Sequence, residues 1–300
     1  MKMTYQFDKS LPLKKNISAI AAEEIEGCFI SLDTLNIHEA IHDIRKRFKK
    51  LRALARLVRD EMGEENYKEI NIYFRDLGRE ISDLRDLTAH IETLNVLRER
   101  YGNHLYVNFF NPIITQLEKE RDKMENEFRS QNFFSEYLPE KLKHAQEDLI
   151  KWPVNSNDIQ VILPSIQRVY ERGQKALNNS YENPTTENFH EWRKRVKYLW
   201  YQTLLLQETW PQFFETMEAE IHLLADYLGN DHDLMVLQKK LNSEDIKLKD
   251  PQHLELMQAI IERYSQFLRS EAKTKGQLIY AESSEDFTKR IGSYTQINWN

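Results

Sequence analysis

Two histidines in this chain stand directly before an aspartate, His42-Asp43 and His232-Asp233. Two stand three residues before an arginine, in His42-x-x-Arg45 and His190-x-x-Arg193. The first pattern is the core of a metal-dependent phosphohydrolase site, where an upstream His, a His-Asp pair and a downstream Asp hold a metal. The second continues into more cations, "IHDIRKRFKKLRALARLVRD" from Ile41 to Asp60 and "FHEWRKRVKYLWYQTLLLQ" from Phe189 to Gln207. Arginine and lysine in such density serve phosphate recognition. From Ile41 to Arg59 eight basic residues face a single acid, Asp43, in a chain of formal net charge −6. That segment carries +7 and everything else sums to −13. Charge segregated in this way speaks of a partner rather than of a fold.

These residues must be positioned by helices. The 300 residues include only 8 Gly and 8 Pro, and no stretch alternates apolar and polar as a strand would. Asn36 with Glu39 three residues on reads as a capping box opening a long helix that ends near Gly63. Further helices are expected over 159–178, 185–209, 212–229, 231–242 and 252–282. At 100° per residue, His42, Arg45, Lys46, Lys49 and Arg56 share one face with Arg52 at its edge. Ile44, Phe48, Leu51, Ala55 and Val58 fall opposite. In the second segment His190, Arg193, Lys194 and Lys197 line one side, continued by Tyr201, and Trp192, Val196, Leu199 and Thr203 line the other. A solvated helix face normally mixes signs in i,i+4 pairs. Two unrelieved cationic stripes instead call for a polyanion.

The segments are copies of one another. His42 aligns with His190 and the "RKR" of 45–47 with that of 193–195, at an offset of 148. Downstream, "SDLRDL" (82–87) aligns with "GNDHDL" (229–234), pairing Asp86 with Asp233 at an offset of 147. The fold class is therefore all-α: two helical bundles of four-helix type, related by a pseudo-two-fold internal duplication. Arg47 and Arg195 fall toward the apolar side of their helices at matching positions, so each requires a carboxylate, with Asp86 and Asp233 as candidates. The histidines heading the stripes are expected to titrate near 6.5 and to strengthen anion binding from pH 8 to pH 6.

Three other readings compete or are excluded. For a His-Asp hydrolase, His38 is the upstream ligand available to the first pair, one turn away on a helix crowded with cations. For the second pair His190 or His222 and Asp250 or Asp286 could serve. A helical scaffold for an acidic partner or nucleic acid also fits the stripes, although the overall acidity disfavours a general nucleic-acid binder. No run approaches the ~18 apolar residues of a membrane span, no secretory signal is readable, and the one cysteine, Cys28, fits a reducing compartment and a small core residue. A cytoplasmic chain without membrane contact is expected.

The repeated His-x-x-Arg-Lys/Arg-x-x-Lys pattern, with "LRDL" and "LGNDHDL" downstream, resembles the CHAD family, the conserved histidine α-helical domain. The resemblance implies two antiparallel four-helix bundles around a central basic pore. It also implies binding of inorganic polyphosphate there, association with polyphosphate granules and polyphosphate-metabolising proteins, no catalysis, no cofactor and no metal. Some relatives carry a triphosphate-tunnel domain, whose Glu-x-Glu-x-Lys pattern is absent from this sequence. By position, the resemblance makes His42, Arg45, Lys46, Lys49, Arg52, Arg56, Arg85, His190, Arg193, Lys194 and Lys197 the polyphosphate-binding set. It covers residues 16–285, as repeats 16–150 and 158–285 joined by a linker at 151–157, with a leader at 1–15 and a tail at 286–300.

Overall fold

The computed structural model describes residues 5–149, 152–243, 246 and 251–299. The leader's first four residues, the first repeat's end at 150, the linker's start at 151, Asp250 and the tail's last residue lie outside them. Among the described residues there are α-helices and short 3-10 and π turns, and no strand.

Helix α1 (Leu13–Thr34) and α2 (Ile37–Leu57) form a helical hairpin. Asn36 caps α2 as its sequence predicts, accepting from the N–H groups of His38 and Glu39 at 3.2 and 3.1 Å. The long first helix stops earlier than its periodicity suggests. Val58 leaves helical geometry, the single turn α3 (Arg59–Met62) follows, and Gly63 at φ 81° turns the chain into α4 (Glu64–Glu80). A positive φ of this kind is cheap only for glycine. Then come α5 (Ser82–Tyr101), α6 (Asn111–Ser130) and α7 (Leu138–Leu149).

The second half opens with another hairpin, α8 (Leu163–Glu182) and α9 (Thr186–Leu205). It continues with α10 (Pro211–Leu241), α11 (Pro251–Ile279) and α12 (Ser284–Asn298). Two elements depart from expectation. Helix α10 runs unbroken through Gly229-Asn230, because Leu228, Asp231 and Leu234 keep one buried stripe in register and no proline interrupts it. The stretch from residue 286 is helix rather than tail, since Ser283 caps α12 and Phe287 stacks on Tyr170 at 4.0 Å.

The apolar stripes expected on the two cationic helices are buried. Ile44, Phe48, Leu51 and Ala55 of α2 and Val58 just beyond its end are at most 1% exposed, as are Trp192, Val196 and Leu199 of α9. Each large side chain of that kind contributes roughly 1.5–3 kcal/mol on burial. Tyr201, expected to extend the cationic face, belongs to the core instead, where its ring meets Tyr5 edge-on at 6.0 Å. The leader is stitched to both halves. Tyr5 donates to the Lys50 carbonyl and the Phe7 N–H to the Leu205 carbonyl, each at 2.9 Å. One large core spans both hairpins with α4, α7 and α12. A second, smaller core joins α5 and α6 of the first half to α10 and α11 of the second. The two halves thus share both cores, and α2 lies directly against α9.

Candidate functional site

The contact between α2 and α9 brings the two stripes face to face. Lys49 feels the positive charges of Arg193, Arg45 and Lys197, and Lys197 those of Arg193 and Lys46. Helix α5 adds Arg85 beside His42, and α10 adds His232 and Asp233. Lys46, Lys49 and His42 remain exposed to solvent. The arrangement is a recess whose walls are protein and whose lining is reachable from solution.

Its electrostatics are those of crowded cations. The protein packed around its ammonium, then Arg193, Arg45 and Lys197, push Lys49 down to about 7, although its side chain keeps contact with solvent. Burial, then Arg193 and Lys46, bring Lys197 down to about 8, and its ammonium lies 4.4 Å from the Trp200 ring centre. Arg45 is lowered by burial and by Arg85, and donates to the Gly78 carbonyl at the end of α4. Arg85 donates to Glu92 at 2.8 Å, but its second terminal nitrogen is buried with no partner among the described residues. The same holds for Arg193 Nε. Buried donors without acceptors are rare in folded proteins, and each such group asks for an explanation.

The histidines do not behave as the sequence suggests. Burial and the cations Arg85, Lys49 and Lys46 hold His42 below the ordinary imidazole value. Burial, Lys194 and Arg193 do the same to His190. His190 Nδ1 lies 3.2 Å from His232 Nδ1, and burial with Arg193, His190 and Lys49 pushes His232 down to about 3. Two neutral rings sharing one proton explain that contact, one ring donating and the other accepting. Lys49 and Lys197 thus join the groups of the recess whose charge changes near neutral pH.

The structure splits the proposed binding set. His42, Arg45, Lys46, Lys49, Arg85, His190, Arg193 and Lys197 surround the recess. Lys194 pairs with Glu191 at its rim. Arg52 and Arg56 are drawn elsewhere: Arg52 donates to Asn71 at 3.0 Å, and Arg56 donates to the Tyr67 hydroxyl at 2.8 Å. The Arg56 guanidinium also lies 3.8 Å from the Tyr198 ring centre. Asp86 and Asp233 do not take Arg47 and Arg195. Both aspartates line the recess, where burial raises their carboxyls against the nearby cations, Arg45 for Asp86 and Arg193 for Asp233. Arg47 instead bonds Asp43 and reaches Glu24 of α1 at 3.2 Å. Glu24 also takes Lys50 at 2.7 Å. Gly27 makes this crossing possible, since a Cβ there would land 1.9 Å from Arg47 Nη1. Among the described residues Arg195 pairs only with Glu191, at 3.1 Å. His232 and Asp233 were the members least visible as binding residues, although the "LRDL"/"DHDL" alignment sets them under Arg85 and Asp86.

Among the described residues no group of three His, Cys, Asp or Glu could hold a metal ion, and no helix is long and apolar enough to cross a membrane. His38, the upstream ligand considered for the first His-Asp pair, faces Glu125 of α6 at 3.1 Å. No curated protein matches the chain. Residues 20–242 match the CHAD domain, from the first turns of α1 to the end of α10, and the chain belongs to the CHAD family.

Proposed function

We propose that the recess between α2 and α9 binds inorganic polyphosphate without cleaving it. The observation that carries this reading is the excess of unpaired cation there. Arg85 and Arg193 hold buried N–H donors that no acceptor among the described residues meets, beside two lysines whose charges repel one another. A chain of phosphates supplies both acceptors and counter-charge. Arg45, Arg85 and Arg193 act as fixed guanidinium donors, Lys46, Lys49 and Lys197 as point charges, and His42 and His190 as neutral hydrogen-bonding groups. The association of the CHAD family with polyphosphate supports the same ligand.

The competing hydrolase reading meets an electrostatic obstacle. Asp233 is surrounded by Arg193, Arg85 and Lys49, and a divalent cation brought beside His232 would face that charge. Of the further ligands considered, His222 is stacked on Trp200 at 4.3 Å, and Asp286 is engaged with Ser283 at the start of α12. We place the protein in the cytoplasm, on polyphosphate granules or with polyphosphate-metabolising proteins. Incubation with long-chain polyphosphate and Mg²⁺ or Mn²⁺ tests the non-catalytic part. Intact chains are expected. Release of orthophosphate that disappears in His232→Ala would establish the hydrolase instead.

A further inference from the structure

Five arginines line one small notch where α2, α8 and α9 meet: Arg56, Arg59, Arg168, Arg172 and Arg195, around Tyr198. We infer that this notch is a second anion site, whose mouth engages a single phosphate group of a small phosphate compound or of a longer chain, its enclosed space of about 10 Å³ admitting no more than a water. The inference stands on this cluster alone and does not rest on the reading of the α2–α9 recess.

Counting the acids decides whether the cluster is merely a salt-bridged surface. Arg59 is paired with Glu64 at 2.7 Å, Arg168 with Asp60 at 2.8 Å and Arg195 with Glu191 at 3.1 Å. Glu171, beside Arg172 in sequence, is taken by Lys175. Arg56 and Arg172 make no carboxylate hydrogen bond among the described residues, although Arg172 lies close enough to Glu171 to help lower its carboxyl, and Arg56 Nη1 is buried without any acceptor. Arg56 is also prearranged. Its guanidinium lies over the Tyr198 ring while the Tyr67 hydroxyl accepts from Nη2, so one face and one corner are fixed and Nη1 is left to donate. Arg168 is steadied by the Ser165 hydroxyl at 2.8 Å.

The other half of the chain shows what such a cluster looks like when it is closed internally. Arg47, which the sequence offset sets against Arg195, is sealed by Glu24 of α1, a residue 4% exposed. At the same offset α8 presents Arg172 where α1 has Glu24, and the neighbouring acid Glu171 is held by Lys175. One half buries a carboxylate of a second helix against its arginine; in the other, Arg195 pairs with the more exposed Glu191 of its own helix and shares the notch with four further arginines. Like charges converging in one notch repel, and a tetrahedral dianion relieves that repulsion with bidentate contacts suited to guanidinium.

Calorimetric titration with inorganic pyrophosphate tests the site on the full chain. Arg172→Gln removes an exposed side chain with no structural partner, so the variant is expected to fold as the parent does. It should weaken pyrophosphate about tenfold or more, as expected for loss of a hydrogen bond to a charged group. In the double variant Lys49→Gln/Lys197→Gln, which weakens the recess, the pyrophosphate binding that remains should be lost on adding Arg172→Gln. Absence of pyrophosphate binding to the parent overturns the inference, and so does binding lost in the recess variant but kept in Arg172→Gln. A parallel titration with long-chain polyphosphate identifies the source. Weakening by Arg172→Gln in both arms supports a site that extends the polyphosphate track; weakening in the pyrophosphate arm alone supports a separate small-ligand site.

Discussion

Raising the pH from 6 to 9 should weaken polyphosphate binding through two lysines, and should stabilise the free protein at the same time. Burial and the surrounding cations bring Lys49 down to about 7 and Lys197 to about 8, from an ordinary lysine value of 10.5. A polyanion holds both in their charged form, so binding above these values must take up protons. By pH 9 Lys49 lies two units above its free-state value and Lys197 one. Because the two ammoniums repel one another, the losses do not add in full, and the affinity falls by on the order of 10²-fold relative to pH 6. The unfolded chain binds these protons up to about pH 10.4. Between about pH 7 and that value it therefore holds more protons than the native state, and stability without ligand rises with pH. Calorimetric titration with long-chain polyphosphate at constant ionic strength reads the first effect, and thermal unfolding of the free protein reads the second. Lys49→Arg stays charged throughout, so it should remove the step near 7 and leave the roughly tenfold loss due to Lys197. Affinity that is flat from pH 7 to 9 would refute the reasoning. So would a loss centred below 6.5 that vanishes in the double variant His42→Gln/His190→Gln, because the histidines would then be the titrating groups.

Lys49→Glu and Lys197→Glu should each weaken polyphosphate strongly, and the double reversal should cost less than the sum, since both side chains contact one ligand; additive losses would separate the stripes into two sites. Glu24→Ala should destabilise the fold by up to about 3–5 kcal/mol, read as a lowered denaturant midpoint, because it strands Lys50 and leaves Arg47 with Asp43 alone, each cation's side chain being 16% exposed. Arg195→Ala should cost under ~1 kcal/mol, as its partner Glu191 is 45% exposed; equal losses in the two variants would mean that Arg195 is locked as Arg47 is. Gly27→Ala should also lower the melting temperature, because its new Cβ meets the Arg47 guanidinium, and the loss should shrink in an Arg47→Ala background.

The parts of this fold legible in the sequence are those governed by local periodicity. The cationic and apolar faces of α2 and α9 follow from the 3.6-residue repeat, and Asn36 announces its cap by residue type alone. What escaped is set by contacts distant along the chain. The acid that takes Arg47 is Glu24, on the preceding helix, and nothing near Arg47 marks it out from Asp86. Tyr201 lies on the polar side of its helix by angle, and is buried because the N-terminal segment, with Tyr5 and Phe7, folds back over the end of α9. Gly229-Asn230 reads as a break, yet buried Leu228 and Leu234 carry α10 across it. The division of the α2 stripe was equally hidden, because Arg56 leaves the recess for two tyrosines, one of them on the other half of the chain. The histidines were recognisable by position, but their protonation state depends on a crowd of arginines and lysines that only the α2–α9 contact assembles.

The central claim is that this recess holds a polyanion with its unpaired cations, and one titration addresses it most directly. Long-chain polyphosphate is added to the parent protein and to Arg193→Glu at two salt concentrations, with single-stranded DNA as the competing polyanion. The account predicts tight binding to the parent that weakens steeply as salt rises, survives excess DNA, and is lost in Arg193→Glu. Binding that DNA displaces equally well, or that Arg193→Glu leaves unchanged, would contradict it.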